Sequence, residues 1–294
     1  MISGTSKLGK MRKAAVIIFL FGLCMVFGET VYAGGKIDVF VSIVPQKYFV
    51  EKIGGALVNV SVMVKPGANP ATYEPKPRQM VDLSKTKIYF AIGVPFEKVL
   101  LKKIAGANPK ILVVHTEKGI EKMPMKADNP QGIKDPHIWL SPPLVMIQAR
   151  NILNALVVMD HANKSVYEAG YKQFIVEIEN LDAELKGIFT GKRKGMEFIV
   201  FHPSWGYFAG EYGLKQIPME IEGKDPKPAD LQRLIKHAKK LGVKVVFVQP
   251  QFSAASASVV AQAIGGQVAF ADPLALNWPD NLRQVAAKFK SASR

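Results

Sequence analysis

The fold of this chain depends on residues 164–190, which read KSVYEAGYKQFIVEIENLDAELKGIFT. Their apolar side chains recur every three or four residues and form one stripe of helical period, which no proline interrupts. The stripe consists of Tyr167, Tyr171, Phe174, Ile178, Leu181, Leu185 and Ile188. At about 1.5 Å per residue, such a helix is about 40 Å long. The stretch therefore predicts one long helix that runs along both halves of the molecule.

On either side of this helix, short β-branched runs alternate with segments of helical spacing. The predicted strands are 37–44, 58–64, 88–92 and 111–114 before it, and 198–201, 245–248 and 267–270 after it. This alternation predicts an α/β fold of two lobes, each with a mainly parallel sheet flanked by helices, joined by one long rigid helix. We predict the N-terminal lobe at 34–160, the linking helix at 161–191 and the C-terminal lobe at 192–294.

Residues 1–33 have the pattern of a secretory signal peptide. Basic residues precede an uncharged apolar segment, 14–27, and Val31-Tyr32-Ala33 is typical of a cleavage site. The apolar segment is too short to span a bilayer comfortably. We therefore expect a mature chain that begins near Gly34 and works in the periplasm.

The cysteine and charge content narrows the chemistry. Cys24 is the only cysteine, and the bulky Leu23 precedes it where lipid attachment requires a small residue, so a lipoprotein is disfavoured. A mature chain without cysteine has no disulfide and no thiolate metal site, so nitrogen and oxygen must bind any metal. The net charge is +15, but the lysines are scattered over predicted helix faces. We expect a solvated basic surface and no nucleic-acid partner.

Polar side chains follow the predicted strands on proline-containing loops. His137 lies in the segment 135–142, which reads DPHIWLSP, while His202 follows strand 198–201 and Asp272 follows strand 267–270. Functional groups gather at the carboxyl ends of parallel strands. Two imidazoles and a carboxylate are a competent ligand set for Zn²⁺ or a similar divalent ion. A hydrogen-bonded structural histidine and a simple Asp-Pro turn remain the alternatives at this point.

Five ordered motifs resemble the zinc/manganese-type solute-binding proteins of ABC transporters. They are 66–75 (PGANPATYEP), 135–142 (DPHIWLSP), 201–205 (FHPSW), 222–228 (EGKDPKP) and 271–274 (ADPL), and the likeness covers nearly all of the chain after the leader. The resemblance implies two α/β lobes bridged by a rigid helix, with a metal ion in the cleft between them. It also implies His137 as a ligand from the first lobe, and His202 and Asp272 from the second.

The chain departs from the family pattern at Ala71, where the resemblance implies a further histidine ligand. The site then has three protein ligands with water in the fourth place, or a substitute ligand, or no metal. An open site of three ligands should bind zinc more weakly than a closed one. His115 is the leading substitute because it directly follows the predicted strand 111–114. Glu74 and Glu222 are weaker candidates.

These observations predict a monomeric periplasmic protein that captures a divalent metal ion and delivers it to an ABC-type permease in the inner membrane. Nitrogen-rich ligands favour Zn²⁺ over Mn²⁺, which is the second candidate. Alternatives on the same scaffold are the binding of a metal chelate or small organic ligand, and an adhesin. A zinc hydrolase is a remote alternative, since an open zinc site is also catalytic. No His-Glu-x-x-His-like spacing supports it, so we expect no enzyme activity.

Overall fold

The computed structural model describes residues 35–125, 129, 131–191, 195–221 and 223–292. The predicted signal peptide, 1–33, lies outside these ranges. The described residues from Lys36 onward form one compact unit. Within the described ranges, the strands form two four-stranded sheets, one on each side of the long helix in sequence.

The first sheet contains only parallel strands in the order β2-β1-β3-β4. These strands are β1 (Ile37–Val41), β2 (Val58–Val62), β3 (Ile88–Ala91) and β4 (Leu112–His115). The helices of this lobe are α1 (Val44–Gly54), α2 (Pro77–Ser84), α3 (Glu97–Ala107) and α4 (Pro142–Met159). By length and composition α4 is apolar enough to cross a membrane. Its residues Val145, Ala149, Ile152 and Leu156 are fully buried, as expected of a core helix.

The second sheet repeats the same topology, again with parallel strands, in the order β6-β5-β7-β8. The strands are β5 (Met196–Val200), β6 (Leu214–Pro218), β7 (Val245–Val248) and β8 (Gln267–Phe270). Helices α6 (Gly206–Glu211), α7 (Pro228–Leu241) and α8 (Ala255–Ala263) connect them. In both lobes the loops that leave the carboxyl ends of the strands carry the residues of interest.

The long helix forms as the sequence predicts. It is α5, Lys164–Phe189, and it follows a 3-10 turn at His161–Asn163. The stripe faces the core, with Tyr167, Phe174, Ile178, Leu181 and Leu185 fully buried. The two glycines of this helix, Gly170 and Gly187, differ in how much space surrounds them. A Cβ at Gly170 would lie 2.6 Å from the carbonyl oxygen of Ile53 in α1, whereas a Cβ at Gly187 would meet nothing within 4 Å. Gly170 therefore permits the close approach of α1 and α5.

The last helix, α9 (Trp278–Ala292), packs against both lobes beside α5. At its start, the Trp278 ring lies 5.2 Å from the Phe49 ring of α1. Near its end, the Phe289 ring stacks on Phe198 of β5 at 4.0 Å. One helix thus contributes to the cores on both sides of the cleft.

Two expectations about the strands need correction. The predicted strand 37–44 ends at Val41, because Val44 and Pro45 open α1 and proline is well tolerated in the first turn of a helix. Strand β6 was absent from the prediction. It reads Leu-Lys-Gln-Ile-Pro, so its polar residues interrupt the apolar run that marks the other strands.

Candidate metal site

His137 is held by the carboxylate of its own loop. Asp135 Oδ1 lies 2.7 Å from His137 Nδ1 and also accepts the His137 backbone N–H at 2.9 Å. Both residues are buried. An ionised carboxylate only accepts hydrogen bonds, so Nδ1 carries the proton and Nε2 keeps its lone pair. Burial lowers the pKa of His137, although Asp135 acts to raise it. The lowered pKa favours the neutral imidazole.

His202 has the same arrangement with a partner from farther along the chain. Its Nδ1 lies 2.8 Å from Oε2 of Glu220, which follows β6. The amide of Gln249 fixes the backbone of His202: its Oε1 accepts the His202 N–H at 3.1 Å, and its Nε2 donates to the His202 carbonyl at 2.6 Å. Phe252 stacks on the imidazole at 5.0 Å. Nε2 of His202 is therefore also the nitrogen that remains for a ligand.

The structure brings the two histidines together across the cleft. Their ring centroids lie 5.2 Å apart, with the ring planes at 71°. Two imidazoles bound to one tetrahedral zinc, with Zn–N bonds of about 2.0–2.1 Å, have centroids roughly 5 Å apart. The paired carboxylates match the outer partners that metal-bound histidines usually have. This pair has the spacing of a two-histidine metal site, and Nε2 of each ring is the nitrogen left for the ion.

Asp272 follows β8 and is engaged within its own lobe. Its Oδ1 accepts hydrogen bonds from Gln251 Nε2 at 3.0 Å and from the Leu274 backbone N–H at 2.9 Å. Pro273 and Leu274, the next residues, line the cavity between the lobes. Over the part of the chain that the structure describes, no three His, Cys, Asp or Glu side chains form a group that could hold a metal ion. Asp272 therefore directly precedes two residues of the cavity wall but does not form a three-ligand group with the histidines.

Two of the substitute ligands considered from the sequence, His115 and Glu74, lie outside the cavity wall that contains the histidine pair. His115 is the last residue of β4, its Nδ1 is 3.0 Å from Glu117 Oε1, and its side chain is 53% exposed. Neither His115 nor the exposed Glu74 is part of the cavity lining. Glu222 is outside the described residues. Ala71 does line the cavity.

The cavity between the lobes has a volume of about 500 Å³. Both lobes contribute apolar side chains and backbone to its wall, and three lysines of the first lobe contribute charge. The residues that line it include Ala71, Val94, Lys98, Lys122, Lys134, His137, Trp139, His202, Gln251, Phe252 and Leu274. The histidine pair thus lies in the wall of a cavity much larger than a metal ion.

Hydrogen bonds between the lobes hold the loops around His137 in place. The Tyr207 hydroxyl donates to the Asp135 carbonyl at 3.0 Å and accepts the Met123 backbone N–H at 2.9 Å. Trp139 Nε1 donates to the Pro273 carbonyl, and Trp278 Nε1 donates to the Trp139 carbonyl, both at 2.7 Å. The loop of Asp135 and His137 is therefore built partly from second-lobe contacts.

Sequence reasoning missed the carboxylate partners of the histidines. Asp135 stands in the motif that contains His137, and the Asp-x-His spacing could have indicated that the two side chains interact. Glu220 follows the strand that the sequence did not reveal, so it had no signal beyond its charge.

Two α/β lobes of the same topology, a long connecting helix and paired histidines in the cleft define a two-lobed metal-binding protein. The chain belongs to the family described as "ZnuA: Zinc-uptake complex component A periplasmic", whose model matches residues 39–292. This is a family of periplasmic solute-binding proteins for metal uptake that work with ABC-type permeases and are not enzymes. The match confirms the resemblance, the fold class and this general function.

Solved structures and a curated relative agree with the family match. A crystal structure of ZnuA is 43% identical, with a TM-score of 0.84, and the match covers 88% of this chain and 100% of that one. A zinc-bound ZnuA with residues 138–173 deleted is 44% identical, with a TM-score of 0.83, covering 88% and 98% of the two chains. The high-affinity zinc uptake system protein ZnuA of Bacillus subtilis (strain 168) is 28% identical over 248 residues, covering 80% of this chain and 77% of that protein.

Proposed function

We propose that this protein captures a zinc ion between its lobes, through Nε2 of His137 and Nε2 of His202, and delivers it to its permease. The observation that carries the proposal is the pair of imidazoles, with ring centroids 5.2 Å apart and each Nδ1 bonded to a carboxylate. Zinc suits neutral nitrogen ligands, whereas manganese depends less on them. The zinc-bound relative supports the same choice of metal.

Asp272 is the proposed third ligand. Its Oδ1 hydrogen bonds to Gln251 Nε2 and to the Leu274 backbone must rearrange before that oxygen reaches the ion. A carboxylate would offset part of the zinc charge beside two neutral imidazoles. We propose that a shift of the loop 271–274, with little movement of the lobes, brings Asp272 to the ion. The four hydrogen bonds between the lobes around His137 and Trp139 support a small movement.

The fourth coordination position has no histidine from the family motif, because Ala71 stands there, and it is open to another ligand. Ala71 is part of the cavity wall, and its methyl group has no donor atom. His115 would have to leave Glu117 and move into the cavity to fill the position. We therefore propose three protein ligands, His137, His202 and Asp272, and treat His115 as the substitute that a variant can test.

We further propose that the chain acts as a monomer after cleavage behind Ala33. Its proposed divisions are a first lobe at 34–160, a linking helix at 161–191 and a second lobe at 192–294. The mass of the protein recovered from the periplasm distinguishes a chain that begins at Gly34 from one that keeps Cys24 with a lipid. Light scattering of the same sample measures its oligomeric state.

Zinc titration of the purified mature protein tests the metal proposal. We expect one zinc per chain by mass spectrometry of metal content, and a dissociation constant below micromolar by calorimetry. The His115→Ala variant should have the affinity of the wild type. A wild type that binds no zinc at micromolar concentration would contradict the proposed function, whereas a weakened His115→Ala would assign His115 as the substitute ligand.

A further inference from the structure

The size of the cavity is the first sign that the ion does not enter alone. Its volume of about 500 Å³ compares with about 30 Å³ for each water molecule in the liquid. Sites for small organic ligands have volumes of roughly 300–1,000 Å³ and mostly apolar walls. The apolar part of the wall here includes Val94, Trp139, Phe252 and Leu274. The space beside the histidine pair is therefore suited to a small organic molecule.

The charge of the wall indicates the sign of that molecule. Lys98, Lys122 and Lys134 all line the cavity on the first-lobe side. Lys122 Nζ donates to the Ile92 carbonyl at 3.1 Å and lies close against Gly93, where an added Cβ would be 2.2 Å away. Its ammonium group is thus held at the cavity wall by the backbone, and the carboxylates of Glu117, Glu97 and Asp135 lie close enough to interact with it. Ammonium groups beside a bound zinc ion repel it, so an anion between them lowers the electrostatic energy.

Two further features match a chelating anion. Ala71 leaves the coordination position expected of a family ligand without a donor atom, so that position is open to an oxygen from outside the chain. Gln251, also in the wall, has a buried Oε1 with no hydrogen-bond partner among the described residues. Its Nε2 is already bonded to Asp272. A hydroxyl group of the ligand can satisfy this acceptor once a small movement of the Gln251 side chain exposes it to the cavity.

We propose that the zinc ion is bound together with a small hydroxy-polycarboxylate. One carboxylate takes the coordination position opposite Ala71, and the others pair with Lys98 and Lys122. This inference rests on the proposed zinc site and names the form in which the cargo is held. Carboxylate oxygens are good zinc ligands at about 2.0–2.2 Å, so the complex keeps a four-coordinate ion.

Citrate is the probe for this class of ligand. Native mass spectrometry of the mature protein with zinc and citrate should show a complex of one protein, one zinc and one citrate. In excess citrate, which competes for free zinc, the wild type should keep its zinc. The Lys98→Met and Lys122→Met variants retain the apolar stem and remove the ammonium group. Each should form roughly tenfold less ternary complex, as expected for loss of a charge-assisted hydrogen bond.

Lys102→Met is the matched control, because Lys102 is exposed on α3, one turn beyond Lys98, and does not line the cavity. It should behave as the wild type does. In the absence of citrate, all three variants should bind zinc at least as tightly as the wild type. A wild type that binds zinc but shows no citrate mass and loses its zinc to citrate as readily as Lys122→Met would overturn this inference alone. Absence of zinc binding with and without citrate would overturn the proposed function as well.

Discussion

The two lobes present the same imidazole in different surroundings. In each lobe a histidine is bonded through Nδ1 to a carboxylate, at 2.7 Å in the first and 2.8 Å in the second. Around His137, the first lobe lines the cavity with apolar residues, Ala71 and three lysines, whereas in the second lobe Asp272 directly precedes the wall residues Pro273 and Leu274. The second lobe therefore offers a carboxylate to a cation, and the first lobe offers positive charge to the proposed anion.

The carboxylate partners also differ in what else they hold. Asp135 accepts the backbone N–H of His137, and its carbonyl accepts the hydroxyl of Tyr207 from the second lobe. Glu220 contacts the imidazole of His202 from a separate strand end. Asp135 thus links the proposed ligand His137 to the contact between the lobes, whereas Glu220 holds the imidazole of the proposed ligand His202. The difference predicts unequal effects of mutations that are chemically alike.

Removal of an imidazole should have the largest effect. His137→Ala and His202→Ala should each weaken zinc binding by more than the roughly 10–100-fold that is typical of outer-partner mutations. His137 is the proposed ligand from the first lobe, so His137→Ala should leave zinc attached to the second lobe alone. Calorimetry measures the affinities. Equal affinity in His137→Ala and wild type would show that the first lobe contributes no ligand.

Neutral replacements of the two carboxylate partners should have the next largest effect on zinc affinity. Asp135→Asn and Glu220→Gln should each weaken zinc binding roughly 10–100-fold, because the imidazole loses the partner that orients it. Only Asp135→Asn should also alter the contact between lobes, since its loop carries the bond to Tyr207. Thermal unfolding of the apo proteins measures this second effect. Equal stability losses in the two variants would contradict the distinction between the partners.

The glycines of α5 test the contact of the long helix with the first lobe. Gly170→Ala forces a methyl group to within 2.6 Å of the Ile53 carbonyl and should destabilise the protein by about 1–3 kcal/mol, as overpacking does. Gly187→Ala is the matched control and should stabilise by up to about 1 kcal/mol through helix propensity. Chemical denaturation measures both. A stabilising Gly170→Ala would mean that α1 and α5 do not approach so closely.

A substitution at the junction of α4 and α5 should have the smallest effect on stability, and this effect should depend on pH. Asp160 accepts hydrogen bonds from Asn163 Nδ2 at 2.7 Å and from the Tyr167 hydroxyl at 2.8 Å. The Asn163 bond, together with that of Tyr167, lowers the pKa of Asp160 in the folded protein. Its stabilisation is therefore present above the unfolded-state pKa, about 3.9, and is lost as the pH falls through the lower folded-state pKa.

Asp160→Asn should accordingly reduce the free energy of unfolding by at most about 1 kcal/mol at pH 7. The difference from the wild type should stay constant down to about pH 5 and shrink below about pH 4. Urea denaturation across this range measures it. A difference that grows on acidification would contradict the assigned direction of the pKa shift.

Most of the fold could be predicted because its strands are continuous apolar runs. Val245–Val248 and Gln267–Phe270 were predicted at their observed bounds, and the stripe of α5 was predicted within one residue. β6 could not be recognised, because Lys215 and Gln216 break its apolar run. α9 was not expected to reach both lobes, because the packing of Trp278 and Phe289 on different sheets has no local signal.

The candidate site was predictable where it depends on single loops. His137 and His202 were selected because each follows a strand or stands in a proline-bounded loop, and the structure places them side by side. The strand-end rule also selected His115, which the structure puts at the outermost strand of its sheet with its side chain exposed. Chain position gives the end of a strand but not its place in the sheet. Glu220 shows the opposite failure: it follows a strand, β6, that the sequence did not reveal, so the strand-end rule could not select it.

The most direct test of the shared site is a crystal structure of the zinc-loaded mature protein, with the metal located by anomalous scattering at the zinc edge. We expect one zinc bonded to Nε2 of His137 and Nε2 of His202 at about 2.0–2.1 Å, with Asp272 as a third ligand. Zinc bound through the histidine of one lobe only, or at a position remote from both, would contradict the proposed site.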